Sequence, residues 1–182
     1  MSRIVLATFF CLATALPAAA QNASATARMG SGQMVTVTAV RIAGQPARIE
    51  IATPSGTQHF DGVGEQFLPI KSGGKDSFIV VADMNGDGID EIVVRGSVTS
   101  DASALIAYQW SGARREYLQV DFTGENEDEG KPFLFVSPES SVTVNRGLIE
   151  VGTVRINQSG RTNTFVERYR WEGNGFKHAA DN

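Results

Sequence analysis

Short segments with alternating apolar and polar residues, separated by turn residues, run along most of this sequence. In MVTVTAVRI and ARIEIAT apolar side chains occupy every second position, which is typical of strands with one buried face. Such segments recur about every 8–12 residues, and no stretch longer than about ten residues has a helical period. We therefore predict an all-β protein with ten or eleven strands, in which any helix is short. The further predicted strands are TQHF, EQFLPI, SFIVVA, EIVV, SALIAYQW, EYLQV, SVTV, LIEVGTVRI and TFVERYRW.

Two segments share the pattern Tyr-x-Trp-x-Gly followed by an aromatic residue. They are YQWSGARREY, from Tyr108 to Tyr117, and YRWEGNGF, from Tyr169 to Phe176. Each predicts a hairpin in which aromatic side chains pair across the strands. Trp110 and Trp171 are candidate anchors for a binding partner, although core packing is the commoner role for such tryptophans.

The first twenty residues have the three-part pattern of a secretory signal peptide. Arg3 precedes an apolar stretch from Ile4 to Leu16, and small residues end the segment at Ala20. We predict a signal peptide at 1–20, a flexible leader at 21–33 and a single β domain at 34–182. The only cysteine, Cys11, lies in the signal peptide, so the mature domain must fold without disulfides. The expected location is the periplasm or the exterior, without a membrane anchor.

The charge pattern argues against nucleic acid as a partner. The formal net charge is −4, and no basic cluster occurs. The loop DFTGENEDEGKP is instead strongly acidic. Such runs are usually solvated, but this one is also a candidate contact for a basic protein. Its candidate partner-binding residues are Glu125, Glu127, Asp128 and Glu129.

Catalytic motifs are scarce. The chain has two histidines, His59 and His178, for which surface or satisfied structural roles are the better interpretation. It lacks a nucleophile elbow and a phosphate-binding loop. We predict that the protein is not an enzyme.

The segment VVADMNGDGIDEIVV carries the clearest chemistry. Side-chain oxygens occur at the first, third, fifth and ninth positions of a loop between two apolar runs, and the seventh can supply a backbone carbonyl. Calcium prefers six to eight oxygen ligands, and a bound divalent ion would offset the repulsion among the carboxylates. The predicted ligands are Asp83, Asn85, Asp87, the carbonyl of Ile89, and Glu91.

Two alternatives compete with this interpretation. An EF-hand would need glutamate at the twelfth position, where the chain has Val94, and flanking helices, where the chain has β-branched runs. A hairpin turn that binds nothing is the other alternative. Asp90 also competes with Glu91 for the ninth-position role.

The loop resembles the calcium loops of FG-GAP and VCBS-type proteins. Their pattern D-x-N-G-D-G-x-x-[DE] between apolar strands matches Asp83 to Glu91. FG-GAP repeats normally form propeller blades in tandem, so the resemblance implies a small or partial β-propeller-like arrangement as one possible fold.

More loosely, the chain resembles calcium-binding periplasmic inhibitors of lysozyme and related toxin-immunity proteins. One calcium loop followed by Tyr-x-Trp-x-Gly hairpins in a single exported domain carries this likeness. It implies an antiparallel β-sandwich that binds a protein partner, such as a basic lytic enzyme. The alternative is a carbohydrate-binding or adhesive module whose tryptophans stack on a glycan.

Overall fold

The computed structural model describes residues 22–125, 129–156 and 161–179, so the predicted signal peptide at 1–20 lies outside it. The described residues form fifteen strands and no helix, which confirms the all-β prediction. The strands are β1 (Ala23–Arg28), β2 (Met34–Val40), β3 (Ala47–Thr53), β4 (Gly56–Gly64), β5 (Ile70–Ser72), β6 (Lys75–Ser77), β7 (Ile79–Ala82), β8 (Glu91–Ser97), β9 (Ser103–Ser111), β10 (Glu116–Thr123), β11 (Leu134–Val136), β12 (Ser141–Asn145), β13 (Leu148–Ile156), β14 (Thr162–Glu172) and β15 (Gly175–Ala179).

Three antiparallel meanders of four strands each make up most of the fold. The first, β1 to β4, is a separate sheet. The second, β7 to β10, and the third, β12 to β15, belong to one eleven-stranded sheet that also contains β5, β6 and β11. The strand order follows the chain within each meander, as expected when short turns join neighbouring strands.

Strand β10 connects the second meander to the third. It pairs with β9 as far as Val120, and its last residues, Asp121 to Thr123, then pair in parallel with β15. Strand β11 pairs with the part of β9 from Ser103 to Leu105. A second parallel pair joins β5 to β12. These two parallel pairs lie within an otherwise antiparallel fold, and no local pattern in the sequence indicates them because they join distant segments.

The four-stranded sheet packs on one face of the second meander and forms the sandwich core. Buried apolar residues from both layers meet there. They include Ala27, Val37, Ile49, Ile51, Val63, Phe67, Ile92, Val94, Ile106, Tyr108 and Tyr117.

A second cluster, the curved-sheet core, lies on the opposite face of the second meander. It is closed by the third meander and by β5. Its members include Ile70, Val80, Val93, Leu105, Phe122, Val142, Val144, Ile149, Val151, Tyr169 and Phe176. Strand β8 is covered on both faces and pairs on both edges, with β7 and β9. The layered, sandwich-like packing is thus confirmed, and the meanders are also compatible with the propeller-like alternative.

The chain passes between the two sheets beside β8. The Glu65 N–H donates to the Ser97 carbonyl at 2.8 Å, and Phe67 forms a β-bridge with Gly96. The backbones are so close that a Cβ atom on Gly96 would lie 1.6 Å from the carbonyl oxygen of Val63. This position therefore admits only glycine without displacement of the main chain.

Arg95 is a buried cation held without an acidic partner among the described residues. Its guanidinium donates to Ser103 Oγ at 3.0 Å and to the carbonyls of Ser137, Pro138 and Ser140 at 2.7–3.1 Å. These bonds compensate for lost hydration and attach the turn after β11 to β8. Burial lowers the pKa of Arg95 from its ordinary value.

Three sequence predictions differ from the structure. The segment predicted as a flexible leader contains β1, which pairs along its whole length with β2 and buries Ala27. The predicted strand EQFLPI is mostly irregular, and β5 begins only at Ile70. The continuous apolar runs from Phe78 to Ala82 and from Ile92 to Val94 predict that β7 and β8 are both central strands of the sheet. Among the described strands, however, β7 pairs with β8 alone, because an apolar run indicates covered faces rather than paired edges.

Candidate metal centre

The oxygen-rich loop joins two adjacent antiparallel strands, as predicted. Ala82 at the end of β7 pairs with Glu91 at the start of β8, and the residues between them form the loop. Gly86 and Gly88 have φ angles of 81° and 83°, which L-residues with a side chain rarely adopt. The two glycines let the chain wind tightly enough to turn its side-chain oxygens inward.

The predicted ligand side chains organise the loop by bonding to its backbone. Asp83 accepts hydrogen bonds from the N–H groups of Gly86 and Gly88 at 2.7 and 3.0 Å. The Asn85 side-chain oxygen accepts from Asp87 N–H at 2.9 Å. Asp87 accepts from Ile89 N–H at 2.8 Å. A carboxylate oxygen keeps a further lone pair after accepting one bond, so these contacts orient the side chains and leave capacity for a cation.

Glu91 is the last residue of the predicted ligand set, lies at the start of β8 and is completely buried. Its carboxylate accepts hydrogen bonds from Met84 N–H at 2.8 Å and from the Asn85 amide at 3.2 Å. No basic side chain forms an ion pair with Glu91 in the described part of the chain. Burial, opposed by the Met84 bond and reinforced by the charges of Asp87 and Asp83, raises the Glu91 pKa to about 7.

Asp90 serves another purpose in this structure. Its Oδ2 accepts a hydrogen bond from Arg28 N–H at 2.7 Å, and its own N–H donates to the Arg28 carbonyl at 2.9 Å. Asp90 thereby attaches the end of β1 to the start of β8. This arrangement favours Glu91 over Asp90 as the ninth-position ligand.

The oxygen-rich side chains of the loop suit a hard cation, but its acidic side chains do not all meet at one point. Within residues 22–125, 129–156 and 161–179, no three acidic, histidine or cysteine side chains meet at metal-holding spacing. The predicted calcium ligands are not all of these residue types, because they include the Asn85 amide oxygen and the Ile89 backbone carbonyl. The buried Glu91 carboxylate, close to two other acids and without a cationic partner among the described residues, is the observation that fits a divalent ion.

We expect a pH dependence of stability in the metal-free protein. The pKa of Glu91 is raised from 4.5 to about 7 in the folded protein. The folded state therefore binds this proton more tightly than the unfolded state, and protonation of Glu91 stabilises the fold. The contribution of Glu91 should be complete below pH 4.5 and fall as pH rises to about 7, by up to about 3 kcal/mol. Denaturant unfolding in chelator at several pH values measures it.

Glu91→Gln is the matched control for this prediction, because the amide oxygen still accepts the Met84 N–H bond without titrating. The difference in unfolding free energy between the wild type and this variant should change across the window. A constant difference from pH 4.5 to 7 would contradict the raised pKa.

Trp110 lies beside the ion loop and lines a groove. Together with Ile89, Met29 and Arg115 it bounds an open cavity of about 680 Å³. A Cβ atom on Gly30 would lie 3.0 Å from Ile89 Cδ1 and 3.6 Å from Trp110 Cδ1, so both side chains close over this glycine. The residue at the seventh loop position therefore forms one wall of the groove.

Both predicted aromatic hairpins are present. Trp110 pairs with Tyr117 between β9 and β10, with ring centroids 5.4 Å apart. Trp171 pairs with Phe176 between β14 and β15, at 5.1 Å and nearly perpendicular. Both tryptophans are half-buried and pack against a core, which agrees with the commoner role of strand-end tryptophans.

The acidic loop lies at the other end of β10 from Trp110. Glu125 and Glu129 are exposed, whereas Glu127 and Asp128 lie outside the described residues. Two backbone hydrogen bonds between Phe122 and Lys131, at 2.7 and 2.8 Å, hold the base of the loop. The two described candidate residues, Glu125 and Glu129, therefore lie beyond the opposite end of β10 from Trp110.

The histidines occupy structural or surface positions, as predicted. His59 is more than half exposed and lies 3.5 Å from a Glu50 carboxylate oxygen. His178 packs edge-on against the Tyr169 ring at 5.4 Å.

The sequence matches no protein-family model, no curated protein and no solved structure. The described residues contain no helix with the length and hydrophobicity of a membrane span.

Proposed function

We propose that the protein is an exported calcium-binding β domain that acts in the periplasm by binding another protein. The partner we favour is a basic cell-wall lytic enzyme, which the domain would inhibit or confer immunity against. The observation that supports this most is the position of the ion loop beside the groove. Ile89 offers a backbone carbonyl to the proposed ion, while its side chain forms the groove wall with Trp110.

A bound ion would make this surface rigid before a partner arrives. Ordering a loop in advance removes part of the entropy loss of association, and a tight inhibitor benefits from this. When bound, calcium would supply a positive centre that neutralises the acidic side chains. The chain itself positions the ligands through the two glycines and the buried Glu91.

We expect calcium to bind at one site per chain and to raise the melting temperature. At free calcium a hundredfold above the dissociation constant, linkage adds about 2.7 kcal/mol to the unfolding free energy. Asp83→Ala and Asp87→Ala should each abolish this gain, because each removes a proposed side-chain ligand. Titration calorimetry and thermal unfolding with and without calcium measure both effects.

Asp90→Asn is the control from the same loop. It weakens the bond to Arg28 and should lower the stability of the metal-free protein slightly, but the gain from calcium should persist. The calcium proposal is wrong if the wild type shows no shift in melting temperature at millimolar calcium.

The inhibitor role is tested by the turbidity of cell-wall suspensions lysed by a panel of lysozymes. We expect the calcium-loaded protein to slow lysis by at least one basic enzyme. Joint neutralisation of Glu125, Glu127, Asp128 and Glu129 should slow association and weaken its salt dependence. The ion-site variants should also lose inhibition, but for a different reason, because without the ion the loop beside the groove is less rigid. Binding to peptidoglycan or other glycans without any inhibition would favour the carbohydrate-binding alternative.

A further inference from the structure

The sequence contains two Asn-Gly steps, Asn85–Gly86 in the ion loop and Asn174–Gly175 between β14 and β15. Such a step can modify itself without an enzyme. The backbone nitrogen of the glycine attacks the carbonyl carbon of the asparagine side chain, and the new C–N bond closes a cyclic succinimide. The side-chain nitrogen leaves as ammonia, taking the proton that the glycine nitrogen loses. Water then opens the ring at either carbonyl, which leaves aspartate or isoaspartate in the chain.

Asn174 is placed where this reaction meets little resistance. It is exposed, and only Gly173 and Asn174 lie between the paired strand ends Glu172 and Gly175. Its side chain borders a small open cavity and forms no hydrogen bond with another described residue. The side chain can therefore rotate toward the Gly175 nitrogen, and glycine has no Cβ atom to hinder the attack.

Asn85 has the same following residue but is held by hydrogen bonds. Its Oδ1 accepts from Asp87 N–H at 2.9 Å, and its amide donates to the carboxylates of Asp87 and Glu91 at 3.0 and 3.2 Å. The attacking atom is engaged as well, because Gly86 N–H donates to Asp83 Oδ1 at 2.7 Å. Hydrogen bonds to carboxylates are stronger than those between neutral groups. Since the ring can close only when such bonds break, the fold should protect Asn85.

We propose that Asn174 is a site of spontaneous deamidation in the folded protein, whereas the hydrogen bonds of the ion loop protect Asn85. This inference goes beyond the proposed function. It does not depend on calcium, because every protecting bond lies within the chain itself.

Deamidation at Asn174 would alter the junction between the second and third meanders. Gly175 pairs in parallel with Asp121, and a Cβ atom on Gly175 would lie 2.5 Å from the Asp121 carbonyl oxygen. Isoaspartate lengthens the main chain by a methylene group directly before this close contact. We therefore expect protein modified at Asn174 to unfold at a lower temperature than fresh protein.

Incubation of the full chain in chelator at mildly alkaline pH, followed by peptide mapping with mass spectrometry, measures conversion at each asparagine. We expect Asn174 to deamidate at least about tenfold faster than Asn85, since breaking one hydrogen bond to a charged group lowers a rate by roughly that factor. In denaturant the two rates should become similar, because glycine follows both residues and the folded-state bonds are gone. Asn145 is an internal reference. It is exposed but precedes Arg146, whose side chain hinders the attack, so it should convert more slowly than Asn174.

Asn174→Gln is the matched variant, because the longer side chain must close a larger ring and reacts more slowly. After incubation this variant should keep its melting temperature, whereas the wild type should lose part of it. Equal rates at Asn85 and Asn174 in the folded chain would overturn the proposal, as would a rate at Asn174 no faster than at Asn145. Slow conversion of Asn85 in denaturant would also overturn it, because the fold would then not be the source of protection. An unchanged melting temperature in wild type that carries the modification would refute the effect on the junction.

Discussion

Val93→Asp is expected to yield no folded protein. Val93 is 1% exposed and lies on β8, where it faces the curved-sheet core between Val80 and Ala107 on the neighbouring strands. An aspartate there must either remain charged in an apolar interior or take up a proton, because Arg95, the buried cation on the same strand, already donates its guanidinium hydrogens to Ser103 and to three backbone carbonyls. The loss should reach several kcal/mol, a large part of the 5–15 kcal/mol typical of a whole domain. Soluble expression and circular dichroism measure the outcome.

Val154→Asp provides the same chemical change at an open position. Val154 lies on β13 and is 59% exposed, so its carboxylate would remain in water. We expect a change within about 0.5 kcal/mol. If Val93→Asp expresses and unfolds like this control, the position of β8 between the two cores is incorrect.

Gly96→Ala is expected to lower the unfolding free energy by about 4 kcal/mol or more. The added methyl group would lie 1.6 Å from the Val63 carbonyl oxygen and 2.6 Å from its carbon. Both are main-chain atoms, so no side-chain rotation relieves the overlap, and the two sheets must separate locally. Denaturant unfolding monitored by tryptophan fluorescence measures the loss.

Gly112→Ala is the control for the glycine substitution itself. Gly112 lies in the turn between β9 and β10, where an added Cβ meets nothing within 4 Å and φ is ordinary. Its replacement should be neutral or slightly stabilising, because alanine restricts the unfolded chain. Equal stability of the two alanine variants would mean that the Val63 carbonyl is not in close contact with Gly96.

Local patterns account for the parts of this fold that the sequence predicts well. Asp83 to Glu91 are contiguous, and their oxygens and glycines can be recognised without knowledge of distant segments. Strand β8 was recognised from EIVV in the same way. The prediction that it ends at Val94 was wrong, because Arg95 is bonded by carbonyls 42 to 45 residues further along the chain.

Distant contacts account for what the sequence did not predict. Strand β1, with the sequence ASATAR, has weak strand propensity, and its conformation depends on pairing with β2 and on burial of Ala27. The parallel pair of β10 and β15 joins segments about fifty residues apart. The attachment of Asp90 to Arg28 likewise depends on a strand more than sixty residues earlier, so no local pattern separates Asp90 from Glu91.

The shared position of β8 has a consequence for how the molecule unfolds. Ile92 and Val94 belong to one core and Val93 to the other, so neither core can lose its packing without exposing the strand on which the other depends. The two cores should therefore melt in a single cooperative transition instead of as separate units. The backbone amides of β8 should be among the slowest to exchange with deuterated solvent, and they should open only when the whole domain does. An ion bound at the start of this strand would then slow exchange in both cores at once.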